Sequence, residues 1–514
     1  MERFYLTTAI DYVNSRPHLG TAYEKVTADV IARYRRLCGV STQFVMGNDE
    51  HSQNVFQRAT ELGLEPKVFC DQMEQVFREV WSKLDVSFDD FIRTTEERHR
   101  VAVNKLVQQI AEAGDLYEGQ YEGWYCVSCE AFKQDKDLVD GECPVHRTKP
   151  EWIKEKNHFF RLAKYRDRLL DHYAENPGFL QPAVRRNEML RLLERGLEDI
   201  SVSRTGQRWG IPLPFDTSSV VYVWFDALSN YASIPAALGD AAAAGPIGLE
   251  TQPDAPALWP ADIHVIGKDI LKFHAVYWPI MLKAMELPLP KQVLVHGWWQ
   301  KDGQKMSKTT GNVVDPIAVI DEWGVDAFRY YAVRELDIGP DGNWTDESFQ
   351  ARYSAELANG LGNLVNRSLS MLNRYRNGTL ETTSDELAAD AEKWIAEARR
   401  NYEAHQIQAA LVSVWGLVDR ANQYVEQTAP FKLAKQEDQA DRLNEVLYNL
   451  AEACRILAVL LWPVIPETAE KIFEQVGIDG SPANFDLAKW GGLAKGHTCQ
   501  KPTPLFPRKD LEKK

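Results

Sequence analysis

The order of apolar and polar positions predicts a sheet-containing region at the start of the chain. "RFYLTTAI" is an apolar run typical of a buried strand, and "TQFVMGNDEH" predicts a second strand. Between them, apolar residues recur close to helical spacing, at Ala22, Val26, Val30 and Tyr34. A strand, helix, strand order favours a parallel sheet, where ligands bind beyond the carboxyl ends of the strands.

The pattern changes twice further along the chain. "SSVVYVWFDAL" and "ADIHVIGKDI" predict a second part of the sheet, separated from the first part by an insertion. After about residue 350 apolar residues recur every three or four positions, from Ile407 to Val425 and from Leu443 to Leu461. The sequence therefore predicts an α/β domain followed by an all-α bundle.

Composition narrows the class of protein. The chain has 514 residues, 44% of them hydrophobic, and a formal net charge of -15, so a polyanionic partner must bind at local basic patches. No apolar run approaches the roughly 18 residues of a membrane helix, and the N-terminus lacks the basic and apolar segments of a leader. Seven cysteines are too few for a disulfide scaffold. We expect a cytoplasmic protein with reduced thiols and no membrane partner.

A turn in "NSRPHLGTAYEK" lies between the first strand and the first helix. A helix N-terminus presents unpaired amides that bind phosphate, Gly20 would let a nucleotide approach the backbone, and His18 would add a donor. Alone, a histidine in a turn is more often a capping residue. The Walker and dinucleotide glycine motifs are absent from the sequence, so ATP would bind by another device.

A lysine pair in "KMSKT" supplies the second signal, because Lys305 and Lys308 on a loop would stabilise charge on a leaving pyrophosphate. Together, "PHLG" and "KMSKT" resemble the HIGH and KMSKS signatures of the class I aminoacyl-tRNA synthetases. Thr21 stands where many members have a second histidine, and Thr309 where the last serine is usual. A threonine hydroxyl still donates a hydrogen bond.

The resemblance narrows to the methionyl-tRNA synthetase family through "TTAIDYVNSRPHLG", "GNDEH", "YVWFDALSNY", "VIGKDILKFH" and "GLGNLVNR". It implies ATP-dependent activation of L-methionine and transfer of the methionyl group to initiator and elongator tRNA(Met). It also implies that Asp49 pairs with the substrate ammonium. The side-chain pocket implied by the resemblance consists of Ile10, Tyr12, Val223, Trp224, Ala227, Leu228, Tyr231, Ile270 and His274.

The same resemblance assigns the ATP site. His18, Thr21, Lys305 and Lys308 would stabilise the phosphates and act in catalysis, and Gly20 would allow close approach. The positions that hold the nucleoside in the family are here Glu24, Gly267 and Asp269. Mg²⁺ would accompany ATP, without a dedicated cage of protein ligands. Ser52 replaces a glycine common after "DEH" in the family.

The insertion contains a metal-binding pattern of its own. Cys126 and Cys129 are two residues apart, as are Cys143 and His146, and this spacing suits one four-coordinate zinc ion. Four protein ligands leave no open position for water, so we expect a structural zinc. The insertion is also too short for the large editing domain of related synthetases.

In the helical part, Asn363 and Arg367 lie four residues apart on one helix face, opposite the apolar stripe. Such a pair is usually only a solvated surface. The resemblance implies that both read bases of the CAU anticodon and that Phe431, where the family usually has tryptophan, stacks on a base.

The fold class that follows is a Rossmann-like parallel-sheet domain split by a zinc-binding insertion and followed by a helical anticodon-binding bundle. The expected boundaries are 1–116 and 203–295 for the two catalytic halves, 117–202 for the insertion, 296–350 for the KMSKS loop and stem-contact region, and 351–514 for the bundle. The alternatives are a class I synthetase for another amino acid and an inactive tRNA-binding paralogue. Some family members carry an extra C-terminal dimerisation and tRNA-binding module, whereas this chain stops soon after "PTPLFPRKDLEKK", so the resemblance implies a monomer.

Overall fold

The structure is a computed structural model that describes residues 3–144, 147–234, 258–306 and 312–509. The described strands are β1 (Arg3–Thr8), β2 (Asp11–Tyr12), β3 (Ser41–Asp49), β4 (Asp90–Arg93), β5 (Leu116–Cys126), β6 (Ala131–Lys133), β7 (Glu151–Phe160), β8 (Leu180–Gln181), β9 (Ile200–Ser201), β10 (Ser203–Thr205), β11 (Pro212–Leu213), β12 (Asp216–Val221), β13 (Ile263–Gly267), β14 (Gln292–His296), β15 (Trp299–Lys301), β16 (Gln304–Lys305) and β17 (Gly342–Trp344).

The described α-helices are α1 (Leu19–Leu37), α2 (Gln53–Glu61), α3 (Pro66–Lys83), α4 (Glu97–Glu112), α5 (Arg166–Glu175), α6 (Ala183–Glu194), α7 (Val223–Leu228), α8 (Asn230–Ser233), α9 (Trp278–Ala284), α10 (Pro316–Trp323), α11 (Val325–Glu335), α12 (Asp346–Arg352), α13 (Asn363–Arg376), α14 (Ala388–Glu403), α15 (Ile407–Thr428), α16 (Pro430–Leu433), α17 (Ala440–Leu461) and α18 (Pro466–Gln475). None of the helices in these ranges is both long and apolar enough to cross a membrane.

The central sheet is parallel, and its strands lie in the order β2-β3-β1-β13-β14-β8, with β4 paired to β3 as well. β1 lies between β3 and β13, and residues of both neighbours pair with it in parallel register. Nearly all its residues are buried, because helices cover both faces of a parallel sheet. The predicted β1, α1 and β3 are confirmed, and so is the Rossmann-like sheet.

One sequence-based expectation about the sheet is wrong. We expected "SSVVYVWFDAL" to supply a strand to the second part of the sheet, but β12 pairs antiparallel with β10 and β11 in a separate sheet. The chain then turns into α7, whose residues are all buried. The apolar run was read as a strand of the main sheet because a buried helical turn and a buried strand share the same lack of polar positions.

The insertion is organised around a long hairpin. β5 and β7 pair antiparallel over their lengths, and β6 and β9 extend this sheet at its edges. The cysteine-containing segments lie between β5 and β7, at the end of the hairpin. The hairpin therefore supports the metal-binding segment predicted from the cysteine spacing.

The C-terminal part is helical, as predicted, and is not detached from the sheet domain. One hydrophobic core contains residues of α1 and β3 together with residues of α13, α15 and α17. A second core, on the other side of the sheet, contains α4, α7 and α9. Two stretches have π-helical geometry, Phe273–Tyr277 and Tyr353–Gly362, and such irregular turns often occur at functional sites.

Candidate functional site

The turn before α1 is organised by His18. His18 is the N-cap residue, and its Nδ1 accepts a hydrogen bond from the Gly20 amide at 3.0 Å. The Thr21 hydroxyl accepts from the His18 amide at 3.0 Å and donates to the His18 carbonyl at 2.8 Å. Because Nδ1 accepts, the proton of a neutral His18 ring is on Nε2, which is then a donor. Thr21 thus stabilises the turn that aims the His18 ring.

Glycine is required at position 20 because of this ring. A Cβ atom there would lie 2.9 Å from His18 Cε1. A larger residue would displace the imidazole from the helix N-terminus, where a phosphate would bind.

A buried charge network follows on the next turn of α1. The Lys25 ammonium is fully buried and contacts the Ala9 carbonyl at 2.7 Å, Glu24 Oε1 at 2.7 Å and Asp11 Oδ2 at 3.1 Å. Burial works to raise the pKa of Glu24, but the Lys25 charge and His296 outweigh it and lower the pKa to about 2. Glu24 is therefore a fixed carboxylate beside the expected nucleoside site.

The other nucleoside candidates lie at the carboxyl end of β13. A Cβ atom on Gly267 would lie 2.6 Å from Asp269 Oδ1, so glycine keeps this carboxylate in place. The Asp269 oxygen accepts from Trp298 Nε1 at 3.3 Å, and His296, at the end of β14, has its Nε2 3.2 Å from Glu24 Oε2. The strand ends thus bring these candidates to one edge of the sheet.

The predicted pocket residues of α7 and α8 pack with the π-helical turn in one apolar cluster. The Trp224 and Phe273 rings stack with centroids 3.5 Å apart and 6° between planes. Val223, Ala227 and Leu228 are buried beside Trp224 on α7. The remaining predicted pocket residues that are only partly buried are Ile10, Tyr12 and Ile270.

Tyr231 and His274 form the polar part of the predicted pocket. The Tyr231 hydroxyl lies 2.6 Å from His274 Nε2, and His274 Nδ1 lies 3.0 Å from the Ile270 carbonyl. Burial lowers the pKa of His274 to about 4, so the ring is neutral at pH 7. A carbonyl only accepts, so the ring proton is on Nδ1 and Nε2 accepts the tyrosine hydroxyl hydrogen. Neither group has a donor left for a substrate sulfur.

Asp49 ends β3 as a buried carboxylate, and it forms no ion pair with any residue that the structure describes. Its Oδ1 has no hydrogen-bond partner among the described residues, and the same is true of the hydroxyl of Tyr12, its neighbour across the β2–β3 pair. Burial, together with Asp226 and Glu130, raises the pKa of Asp49 well above its ordinary range. A bound ammonium group would reverse this shift, so the site fits a cationic substrate group.

The loop after β3 ends at Ser52, where α2 begins with a regular N-cap. Ser52 is the N-cap of α2, and its hydroxyl accepts from the Val55 amide at 3.1 Å. The substitution of serine for the family's glycine is therefore accommodated by a standard helix cap.

The two lysines of "KMSKT" are only partly covered by the structure. Lys305 belongs to β16, a short strand paired with β15, rather than to an open loop. Lys308 lies outside the described residues.

Three of the four predicted metal ligands come together. The Sγ atoms of Cys126, Cys129 and Cys143 all lie within 4.8 Å of one another, and those of Cys129 and Cys143 are 3.4 Å apart. Thiolates bound to one zinc at about 2.3 Å each have separations of this order, and such thiolate sets favour zinc. The fourth predicted ligand, His146, lies outside the described residues.

In the bundle, Arg367 is held in place by α15. Its Nη1 donates to Glu426 Oε1 at 2.8 Å and its Nη2 to Asn422 Oδ1 at 2.8 Å. Asn363, one turn earlier on α13, is partly buried, and Phe431 is 46% exposed. The arginine that the resemblance assigns to anticodon recognition is thus already oriented by neighbouring side chains.

Sequence reasoning missed several residues of the site. Phe273 was not identified as the stacking partner of Trp224, although it immediately precedes His274. Asp226 was missed as well. It binds His51 Nδ1 and His99 Nε2 at 2.6 Å each and fixes α7 against the end of β3. No sequence signal joins these three distant positions.

Comparison with known proteins identifies the family. A family model described as "tRNA synthetases class I (M)" matches residues 4–151 and 136–369, and "Anticodon binding domain of methionyl tRNA ligase" matches residues 376–513. The methionine–tRNA ligase of Caldanaerobacter subterraneus subsp. tengcongensis is 43% identical over 99% of this chain and 79% of its own length. That of Bacillus subtilis is 43% identical over 99% and 78%.

A solved structure agrees with these matches. Mycobacterium tuberculosis methionyl-tRNA synthetase in complex with methionyl-adenylate superposes with a TM-score of 0.92 at 37% identity, covering 99% of this chain and 100% of that one. The chain therefore belongs to the class I methionyl-tRNA synthetase family.

Proposed function

We propose that this protein activates L-methionine with ATP to methionyl-adenylate and transfers the methionyl group to the 3′ end of tRNA(Met). The observation that carries this proposal is the apolar cluster around Trp224 and Phe273 together with Asp49, a buried carboxylate that forms no ion pair within the described residues. An unbranched, polarizable side chain would pack against the aromatic rings of this cluster. The carboxylate takes the α-ammonium of the same molecule, so the two features together select an amino acid of this shape.

The ATP site is supported by the geometry at the carboxyl end of the sheet. His18 Nε2 and the start of α1 supply donors for phosphate oxygens, and Thr21 keeps the His18 ring in position. Glu24, Gly267 and Asp269 hold the nucleoside. Lys305 and Lys308 supply positive charge to the departing pyrophosphate.

Activation requires little proton transfer by side chains. A methionine carboxylate oxygen forms a bond to the α-phosphorus of ATP, and the bond from that phosphorus to the bridging oxygen of pyrophosphate breaks. In the second step a ribose hydroxyl of the terminal tRNA nucleotide forms an ester with the methionyl carbonyl carbon, and AMP leaves. The protein acts by positioning both reactants and stabilising charge, and Mg²⁺ bound with ATP neutralises phosphate charge.

A structural zinc site in the insertion is the second part of the proposal. Cys126, Cys129 and Cys143 would bind the metal as thiolates, and His146 would complete a tetrahedral set. The ion would hold the two ends of the hairpin insertion together, because metal binding of this kind is coupled to local folding.

The helical bundle would bind the anticodon of initiator and elongator tRNA(Met). Arg367 and Asn363 would contact base edges, and the exposed ring of Phe431 would stack on a base. The domain boundaries given above, the monomeric state and the cytoplasmic location belong to this proposal. Sedimentation of the purified chain tests the monomeric state.

Methionine-dependent exchange of labelled pyrophosphate into ATP tests the function directly. We expect exchange with L-methionine in the absence of tRNA, and at least about 100-fold less with leucine or valine, whose branches clash with the stacked rings. Exchange with another amino acid at a higher rate would identify a different synthetase, and no exchange with any amino acid would identify an inactive tRNA-binding paralogue.

A further inference from the structure

Arg329, on α11, is completely buried and has a partner for every one of its five N–H groups. Nε donates to the Val464 carbonyl at 2.8 Å, and Nη1 donates to the carbonyls of Leu84 and Asp85 at 3.0 and 3.1 Å. Nη2 donates to Asp29 Oδ2 at 2.6 Å and to the Pro463 carbonyl at 3.3 Å. The partners come from the sheet domain on one side and from the helical bundle on the other.

Asp29 is the ionic partner and lies on α1. Its Oδ2 also accepts from Arg33 Nε at 2.8 Å, while its Oδ1 accepts from the amide and the hydroxyl of Ser87 at 2.7 and 2.5 Å. Burial works to raise the pKa of this carboxyl, but Arg329 and Arg33 outweigh it and lower the pKa to about 2. The pair is therefore charged under all physiological conditions.

The energetics of such a pair favour a role in orientation. Removing an arginine and a carboxylate from water costs about as much as their attraction returns, so a buried pair of this kind is weak evidence for stability. Apolar side chains of the same volume would hold the two domains together equally well and would allow them to slide. A planar guanidinium with five directed bonds fixes the angle between the surfaces that it joins.

The contacts of Arg329 form a joint between the two domains. This joint links the helix that begins at the proposed ATP site to the helices that would bind the anticodon. Asp29 lies on the same helix as His18, about 16 Å further along α1, and a helix transmits position rigidly over that distance. Pro463 and Val464 follow directly after α17, which packs against α13, the helix of Asn363 and Arg367. On α11, Asp326 also binds the bundle, through the Thr468 amide at 2.6 Å.

We propose that Arg329 is a positioning residue, which fixes the orientation of the helical bundle relative to α1 so that a tRNA held by its anticodon presents its 3′ end to the adenylate. This inference rests on the proposed function. It assigns to Arg329 no contact with substrate and no part in formation of the adenylate.

The test separates the steps of the reaction in the variants Arg329→Lys and Asp29→Asn. A lysine keeps the charge but cannot bond all the partners, and an asparagine keeps the shape of Asp29 but not its charge. Three quantities are measured for each full-length variant: methionine-dependent pyrophosphate exchange, affinity for an RNA stem–loop with the CAU anticodon, and the single-turnover rate of transfer from preformed methionyl-adenylate to full-length tRNA.

We expect exchange and stem–loop affinity to stay within about twofold of the parent, whereas the transfer rate falls about tenfold or more, since small errors in placing reactants are costly. Arg455→Lys is the matched control. Arg455 is equally buried and binds Glu452 and the carbonyls of Leu487 and Lys489, all within the bundle, so its loss leaves the joint intact. The control should retain the parent transfer rate per folded molecule.

An unchanged transfer rate in both variants would overturn the proposal. So would a parallel fall of all three quantities, which would indicate a purely structural role. If Arg329→Lys fails to fold, Asp29→Asn decides between the same outcomes. A parent protein without methionine-dependent exchange would instead refute the proposed function, and the two failures are thus distinguishable.

Discussion

At the scale of single residues, the site combines groups that are satisfied within the protein with a few that are not, Asp49 and Tyr12 among them. The His18 ring, the Glu24 carboxylate and the Tyr231–His274 pair all have fixed partners. Asp49 has a buried oxygen without a partner among the residues described by the structure. In the proposed function, substrate binding would supply the missing partner of Asp49 while the other three groups are already held, which keeps the cost of reorganisation low.

The first prediction concerns Asp49. Asp49→Asn should raise the KM for methionine in pyrophosphate exchange about 100-fold, because the substrate ammonium would be buried without its counter-charge. The KM for ATP should change little. The control ligand is 4-(methylthio)butanoate, which lacks the amino group and should inhibit parent and variant with similar constants. A methionine KM near the parent value would exclude Asp49 as the ammonium partner.

At the scale of elements, the hairpin insertion and α13, the proposed anticodon helix, each present their candidate functional side chains from a rigid support. β5 and β7 pair along their lengths and hold the cysteine cluster at one end. α13 packs on α17, while α15 supplies the partners of Arg367. Each element can therefore be tested by one substitution that leaves its backbone in place.

For the insertion, Cys129→Ser should abolish zinc binding in the purified protein, whereas the parent should contain one zinc ion per chain, because losing one thiolate weakens a structural zinc site severely. Native mass spectrometry measures the metal content. Cys38→Ser is the control and should retain the ion, since Cys38 lies at the C-terminal end of α1 and does not belong to the cysteine cluster. A parent protein without zinc would contradict the assignment.

For the anticodon helix, Arg367→Ala should cost about 1–3 kcal/mol in kcat/KM for tRNA with the CAU anticodon and much less for altered anticodons. Aminoacylation of both kinds of transcript is measured at one salt concentration. Arg374 is an exposed arginine on the same helix. The control Arg374→Ala should lower kcat/KM slightly and by the same factor for both kinds of transcript. A uniform loss in Arg367→Ala would reduce its role to a phosphate contact.

At the scale of the whole molecule, the sheet domain and the bundle share one core and several polar contacts. Tyr34 of α1 stacks on Tyr402 of α14 with centroids 4.9 Å apart. His405, between α14 and α15, contacts Arg35 Nη2 at 3.3 Å and Gln292 Oε1 at 3.0 Å. We therefore expect the two domains to unfold together. The contact between them includes a titratable group, His405.

This contact predicts a dependence of stability on pH. Burial, together with the charge of Arg35, lowers the pKa of His405 to about 4, against about 6.5 in the unfolded chain. Between these values only the unfolded chain binds a proton at His405, so stability is lost as the pH falls below 6.5. Between pH 6.5 and pH 5, the protonation of His405 in the unfolded chain should lower the free energy of unfolding by about 2 kcal/mol. Urea unfolding at both pH values measures it.

His405→Asn is the test of that assignment, because asparagine tolerates the positive φ of 59° at this position. Between pH 6.5 and pH 5, the free energy of unfolding of the variant should fall by about 2 kcal/mol less than that of the parent. The buried His274 titrates in the same direction and should account for part of the remaining loss. Identical pH profiles for parent and variant would show that His405 is not the group responsible.

The sequence predicted well those elements whose pattern of apolar residues is compatible with only one kind of secondary structure. The apolar run of β1 and the helical spacing of α1, α15 and α17 are of this kind. The pattern around β12 was ambiguous, because one apolar run there covers both the end of an antiparallel strand and the buried helix α7. Arg329 could not have been found, since arginine is mostly exposed and its five partners are scattered over the chain. The predicted pocket residues were identified from the family resemblance, whereas Phe273 was identified only from the structure.

The hydrogen bond between Tyr231 and His274 has a consequence for the fidelity of translation. The hydroxyl hydrogen is given to the imidazole, so the sulfur of a methionine bound at the proposed site would receive no hydrogen bond from either group. Selection against an unbranched hydrocarbon isostere such as norleucine then depends on dispersion contacts alone, which distinguish such similar groups by less than about 100-fold. In a cell that accumulates this isostere, the frequency of its incorporation at methionine codons would follow the concentration ratio of the two amino acids.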